Sequence, residues 1–184
     1  MFAAGDARAR KLASGPGATS GAVSAKTEPL TAPKSRLLIA LHMVAFAVMY
    51  FGIERAVFHS DRASATTSQR VLGTLVILAG AALTHMARVS FASWRFRAKI
   101  DVGHQLATEG PFQFIRHPIY AGLDLLAIGT GIWIPSPIVL TSAVLMVLGG
   151  DLRARAEEPL LERAFGETYR DYRNRTWRFI PRLY

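Results

Sequence analysis

A chain of 184 residues is long enough for one domain, and 51% of it is hydrophobic although it carries 22 lysines and arginines and a formal net charge of +9. With a mean hydropathy of +0.22, that mixture is high for a soluble protein and fits only if apolar and charged residues are sorted into separate stretches. There is no cysteine, which excludes disulfides and thiolate metal sites.

Along the chain the sorting is plain. Met1 to Ser35 is rich in Ala, Gly, Ser, Thr and Pro with scattered basic residues and no apolar core. It reads as a disordered basic tail over 1–35 rather than a signal peptide, with a transit peptide as the alternative. Gly15 to Gly21 precedes no strand-helix unit and is not a nucleotide loop. Leu37 to Ile53 is uncharged for 17 residues, and Val71 to Ala87 for another 17. A helix needs about 20 mostly apolar residues to cross hydrocarbon, which both segments approach with their flanks. His42 and His85, within or near them, read as packed or hydrogen-bonded interior residues. Ser90 to Lys99 mixes Phe91, Trp94 and Phe96 with Arg95, Arg97 and Lys99, which suits an interfacial helix or an extension of the second span.

His104 to Gly122 follows, as HQLATEGPFQFIRHPIYAG. Gly110-Pro111 predicts a turn, and His117-Pro118 restricts the backbone just before the next span. Irregular backbone at that depth is tolerated where it is buried in protein or lines a cavity. Phe112, His117 and Tyr120 would border such a cavity. Ile119 to Val147 is interrupted only by Asp124 and by Pro135-Ser136-Pro137, and so reads as two spans turning at Ile134 to Pro137, with Trp133 as an interfacial anchor. Asp124 is a functional candidate because an acid inside a membrane is costly. After the fourth span, Arg153 and Glu157 share a helix face, and Pro159 is expected to disturb the helix. Leu160, Leu161, Phe165, Tyr169 and Tyr172 form a stripe that should pack on the second loop, with Phe165-Gly166 as a break.

The expected fold is therefore an all-α polytopic membrane bundle with spans near 37–55, 71–89, 118–134 and 137–151 and a C-terminal segment over 152–184. Counting lysines and arginines puts 19 on the side of both termini and the second loop and 3 on the other. The positive-inside rule makes the first side cytoplasmic. The basic excess borders spans, where anionic headgroups lie. No nucleic-acid-binding fold is visible, and no metal is expected. A ratio of 18 Arg to 4 Lys points to a GC-rich bacterial genome, hence to a bacterial inner membrane.

Three stretches, HQLATEGPFQFIRHPIYAG, AIGTGIWIPSP and RARAEEPLLERAFGETYRDYRNRTWRFIP, resemble the isoprenylcysteine carboxyl methyltransferase family. The resemblance covers under half the chain. It implies an S-adenosylmethionine-dependent membrane methyltransferase domain over 36–184, acting on a lipophilic or lipidated substrate. It implies that His104, Gln105, Leu106, Ala107, Phe112, His117, Pro118, Ile119, Tyr120 and Glu157 line the cofactor, and that Arg153 holds a substrate carboxylate. Pro159, and Thr176-Trp177 in place of a common Val-Pro, depart from the family pattern. Phospholipid N-methyltransferases and NADPH-dependent sterol reductases share the pattern more loosely, and a non-catalytic scaffold is the remaining alternative. An amine acceptor would need a base such as Asp124 or Glu158.

Overall fold

The computed structural model describes residues 30–31, 35–59, 65–90, 99–100 and 106–184. Its α-helices are α1 Ser35–Phe58, α2 Thr67–Ser90, α3 Pro118–Trp133, α4 Pro137–Phe165 and α5 Glu167–Arg175. A 3-10 turn, Gly110–Gln113, precedes α3. Two short strands, β1 Leu30–Thr31 and β2 Lys99–Ile100, pair antiparallel with Leu30 opposite Ile100. The rest of the tail over 1–34, and Phe91 to Arg97 of the expected interfacial segment, lie outside the described residues.

The helical membrane bundle is as expected. Helices α1, α2 and α4 are long and apolar enough to cross a bilayer, and α3, with 16 residues, is the shorter arm of a hairpin. Their outward faces are apolar: Met43, Val44 and Phe51 on α1, Leu72, Leu75 and Leu78 on α2 and Val144 and Leu148 on α4 are each more than half exposed. Water is a poor solvent for such a surface and hydrocarbon a good one. Contacts arrange the helices in a row, α2, α3, α4, α1, so that α1 packs chiefly on α4 and not on its sequence neighbour α2.

Glycines set the spacing in that row. Gly73 and Gly80 of α2 oppose Gly129 and Gly122 of α3, which run the other way. A Cβ at Gly73 would stand 2.9 Å from the Gly129 carbonyl oxygen, and one at Gly80 would stand 2.7 Å from that of Gly122. The two backbones are thus as close as helices come, which is how helices associate in lipid without a hydrophobic drive between them. The seven-residue interval from Gly73 to Gly80 to the buried Ala87 keeps the small residues on one face.

The hairpin turn falls where the prolines predict. Ile134 N–H donates to the Thr130 carbonyl, Ser136 N–H to that of Ile134, and Pro137 opens α4. The disturbance expected at Pro159 does not end the helix: α4 continues through it to Phe165. A proline inside a helix removes one rung and costs about 3 kcal/mol. Here burial of Leu160, Ala164 and Phe165, and the bonds of Glu158 described below, hold the helix from outside. The fourth span is therefore one rod with the helix beyond it. At 1.5 Å per residue its 29 residues reach about 44 Å, against about 30 Å of hydrocarbon, so its last turns project past the apolar layer. Gly166, with φ 56°, provides the predicted break before α5.

Candidate active site

The segment before α3 is irregular, and hydrogen bonds fix it. Gly110 has φ 58°, and a Cβ there would collide with the Ser90 side chain, so only glycine fits. Phe114 and Ile115 N–H groups both donate to the Pro111 carbonyl. Beyond the turn, the chain runs parallel to the residues after α5: Trp177 N–H donates to the Phe114 carbonyl, Arg116 N–H to that of Trp177 at 2.7 Å, and His117 N–H to that of Arg178. The Tyr172 hydroxyl donates to the Phe112 carbonyl at 2.8 Å. The predicted stripe packs as expected, with Leu160, Phe165, Tyr169 and Tyr172 buried together and Leu106 and Leu161 against them.

Two adjacent carboxylates at the end of α4 then part company. Glu158 is buried and ringed by two arginines and a histidine: Arg178 donates from Nε at 2.9 Å and from its second nitrogen at 2.7 Å, Arg116 donates from Nε at 3.2 Å, and His117 Nε2 lies 3.5 Å away. Arg116 also donates to the carbonyls of Arg173 and Thr176, so it is a tie between segments and not a headgroup anchor. Burial alone would push the Glu158 carboxyl up, but Arg178, His117 and Arg116 together hold it well below the usual carboxylate range.

Glu157, about 100° round the helix, faces the other way. The Tyr120 hydroxyl donates to its Oε1 at 2.5 Å, His117 Nδ1 lies 4.0 Å from Oε2, and an Arg153 guanidinium nitrogen lies 4.0 Å from Oε1. The Arg153 guanidinium sits over the Tyr120 ring at 4.9 Å, and the His117 ring stacks beside Tyr120 at 5.8 Å and lies tilted against Phe179 at 5.9 Å. Of the residues singled out in the sequence, His117, Tyr120, Arg153 and Glu157 meet in this cluster. Pro118 and Ile119 are the first residues of α3 at its edge. Phe112 is buried in the 3-10 turn, Leu106 packs on α4 and α5, and Ala107 is half-buried beside it. His104 and Gln105 lie outside the described residues.

The sequence reading missed Arg178, which completes the Glu158 clamp from 20 residues away, and the backbone ladder at Trp177. The departure at Thr176-Trp177 is accommodated: the Thr176 hydroxyl donates to the Tyr172 carbonyl at the end of α5, and Trp177 is held by its backbone. His85 is exposed on α2, not interior. His42 is buried as expected.

A family model described as phospholipid methyltransferase matches residues 68–168, more than half of the chain. The chain belongs to the phospholipid methyltransferase family. Among curated proteins, it is 30% identical over 109 residues to protein-S-isoprenylcysteine O-methyltransferase B of Arabidopsis thaliana, covering 59% of this chain and 51% of that one. It is 33% identical over 123 residues to the protein-S-isoprenylcysteine O-methyltransferase of Saccharomyces cerevisiae, covering 64% of this chain and 51% of that one. The resemblance carried by the three motif stretches is thus upheld, and the chain spans about half the length of these relatives. Its fold is similar to the solved structure of the eukaryotic intramembrane Ras methyltransferase, an isoprenylcysteine carboxyl methyltransferase, with a TM-score of 0.58 and 22% identity over 82% of this chain and 54% of that one.

Proposed function

We propose that this family member is an integral-membrane, S-adenosylmethionine-dependent methyltransferase that esterifies the carboxylate of an isoprenylcysteine-like or other lipophilic acceptor. The observation that carries this reading is the division between neighbouring carboxylates. Glu158 is taken up by its arginines, and Glu157 is turned toward Tyr120, His117 and Arg153 at the edge of the apolar layer.

S-adenosylmethionine, when bound, supplies an electrophilic methyl group on a sulfonium. The donor set fits such a ligand: a carboxylate for its ammonium or hydroxyl donors, and the rings of His117, Tyr120 and Phe179 for a cation. In this reading Glu157, Tyr120, His117, Pro118 and Ile119 line the cofactor with Phe112, Leu106, Ala107, His104 and Gln105. Arg153 presents its planar fork to the acceptor carboxylate. A carboxylate is already ionised at neutral pH, so transfer needs no general base. It needs alignment, which supplies a large part of the rate. Both termini and the site would face the cytoplasm of a bacterial inner membrane, following the excess of basic residues on that side.

Calorimetry of the detergent-purified chain tests the cofactor: heat with S-adenosylmethionine and S-adenosylhomocysteine is expected, and silence with both, or heat with NADPH instead, overturns the reading. Radiolabelled methyl transfer to a farnesylcysteine carboxylate, set against phosphatidylethanolamine, tests the acceptor. Arg153→Ala should lower turnover at least a hundredfold, the scale of losing an oriented charged contact, and leave cofactor binding largely intact. Equal loss of both would refute the division of roles.

A further inference from the structure

Asp151 is the first charged residue of α4, and it comes early. From Pro137 to Gly150 the helix rises about 21 Å, against about 30 Å of hydrocarbon, so charge begins on α4 at the edge of the apolar layer. The face that carries it is the one turned to lipid. Asp151 follows Val144 by seven residues and Arg155 follows Leu148 by seven, two turns in each case, and Val144 and Leu148 are both more than half exposed.

A second segment stands against that face. The Tyr184 hydroxyl donates to Asp151 Oδ1 at 2.9 Å and accepts from Arg155 and from Arg178, each at 2.6 Å. The chain folds back on itself to bring it there. Phe179 and Ile180 N–H groups both donate to the Tyr184 carbonyl at 2.9 Å, and Leu183 and Tyr184 N–H groups donate to the Ile180 carbonyl. Tyr184 also stacks on Phe179, with ring centres 6.3 Å apart. This closed turn directs Tyr184 toward α4 and leaves Ile180 and Leu183 outside, 51% and 77% exposed. Among the described residues no large apolar side chain is more exposed than Leu183.

We propose that the turn 179–184 is an interfacial seat, in which Ile180 and Leu183 enter the headgroup–acyl boundary of the bilayer that α4 crosses and Tyr184 fixes the turn to α4. The seat continues the lipid-facing stripe of α4: apolar side chains lie outermost, and Asp151, Arg155 and Arg178 pair behind them. A tyrosine, with an apolar ring and a polar tip, suits that level. The occupant is lipid because the patch is continuous with a surface that already faces hydrocarbon, and two apolar side chains are too few for a stable protein interface. Arg182, exposed between them, supplies a positive charge for anionic headgroups. The turn also carries Phe179, which packs on His117, so the seat and the candidate site share a wall. The inference does not depend on the methyltransferase reading, since no step of transfer enters it.

The chain has no cysteine, so one introduced cysteine takes a fluorescent bimane label at a single place. Leu183→Cys and Ile180→Cys probe the seat, and Arg170→Cys, on the exposed side of α5, serves as the aqueous control. Each labelled chain is reconstituted in vesicles of phosphatidylcholine and phosphatidylglycerol. Labels at 180 and 183 should be quenched strongly by lipids carrying a nitroxide just below the headgroup and weakly by lipids carrying it at the methyl end of the chain. Iodide, present on both faces, should quench them several-fold less than the label at 170. Iodide quenching equal to that at 170 would put the turn in water and overturn the seat. Shielding from iodide and from both nitroxide lipids would mean that protein covers the turn, and shielding that vanishes on dilution in lipid would assign it to a second copy; either result also overturns the seat. Failure of the wild-type chain to bind S-adenosylhomocysteine would remove the methyltransferase reading and leave these labels to decide the seat alone.

Discussion

The contact between α2 and α3 and the contact between the α3 entry and the C-terminal segment hold the same molecule by opposite means. In the first, Gly73 and Gly80 meet Gly129 and Gly122 with carbonyls close enough to exclude a side chain. In the second, a buried Glu158 is held by Arg116 and Arg178, and backbone groups of 114–117 bond those of 177–178. The difference follows the solvent. Inside hydrocarbon each helix satisfies its own backbone, and close packing of small residues is what remains to be gained. At the boundary, loops expose backbone groups and charges that must find partners. The cluster of His117, Tyr120, Arg153 and Glu157 sits where the two regimes meet, one side fixed by helix packing and the other by the clamp.

Removing Glu158 should break that comparison most severely. Glu158→Ala leaves two arginines and a histidine facing each other, and losing one partner of a buried ionic group costs about 3–5 kcal/mol. A large fall in the melting temperature of the detergent-purified chain, with early proteolysis after Arg175, is expected; an unchanged melt would mean that the clamp is ornamental. Acid should act on the same group more gently. Because the folded state holds the Glu158 carboxyl below its ordinary range, its contribution is complete above that range and is lost as the pH falls through it toward the folded value. Hydrogen exchange at pH 7 and pH 3 should show protection falling at 114–117 and 176–179 and holding at 73–87; a parallel fall in both would erase the distinction.

Gly80→Ala probes the other region. Its new methyl would press on the Gly122 carbonyl, and overpacking of this kind costs about 1–3 kcal/mol. The loss should appear in the melt without the pH dependence of the clamp, and any acid sensitivity would contradict the apolar account. Arg170→Ala should do least. It removes exposed pairs to Glu162 and Glu167, which water and salt already screen, so its melting curve should overlay that of wild type.

Local signals carried much of the site. His117-Pro118 predicted the irregular entry to α3, and the four-residue interval from Arg153 to Glu157 predicted one helix face, because both rules act within a turn. The disturbance expected at Pro159 does not end the helix for the converse reason: a local rule worth about 3 kcal/mol was outweighed by contacts from elsewhere in the chain. Arg178 gave no periodic signal, since its partner Glu158 lies across α5 and two bends.

By itself the sequence determined that the chain is a membrane helical bundle, where its hairpin turns, and which motif residues approach the boundary, because hydropathy, proline and helical period are properties of neighbouring residues. Only the tertiary structure decided that α1 packs on α4 across the row, that Glu158 and not Glu157 is bound up in the clamp, and that His42 packs on Gly149 and Asp124 on Gly150. Those outcomes depend on which distant segments share a surface, and the free energy that selects them comes from close packing and the pairing of buried charge, neither of which any short window of residues contains.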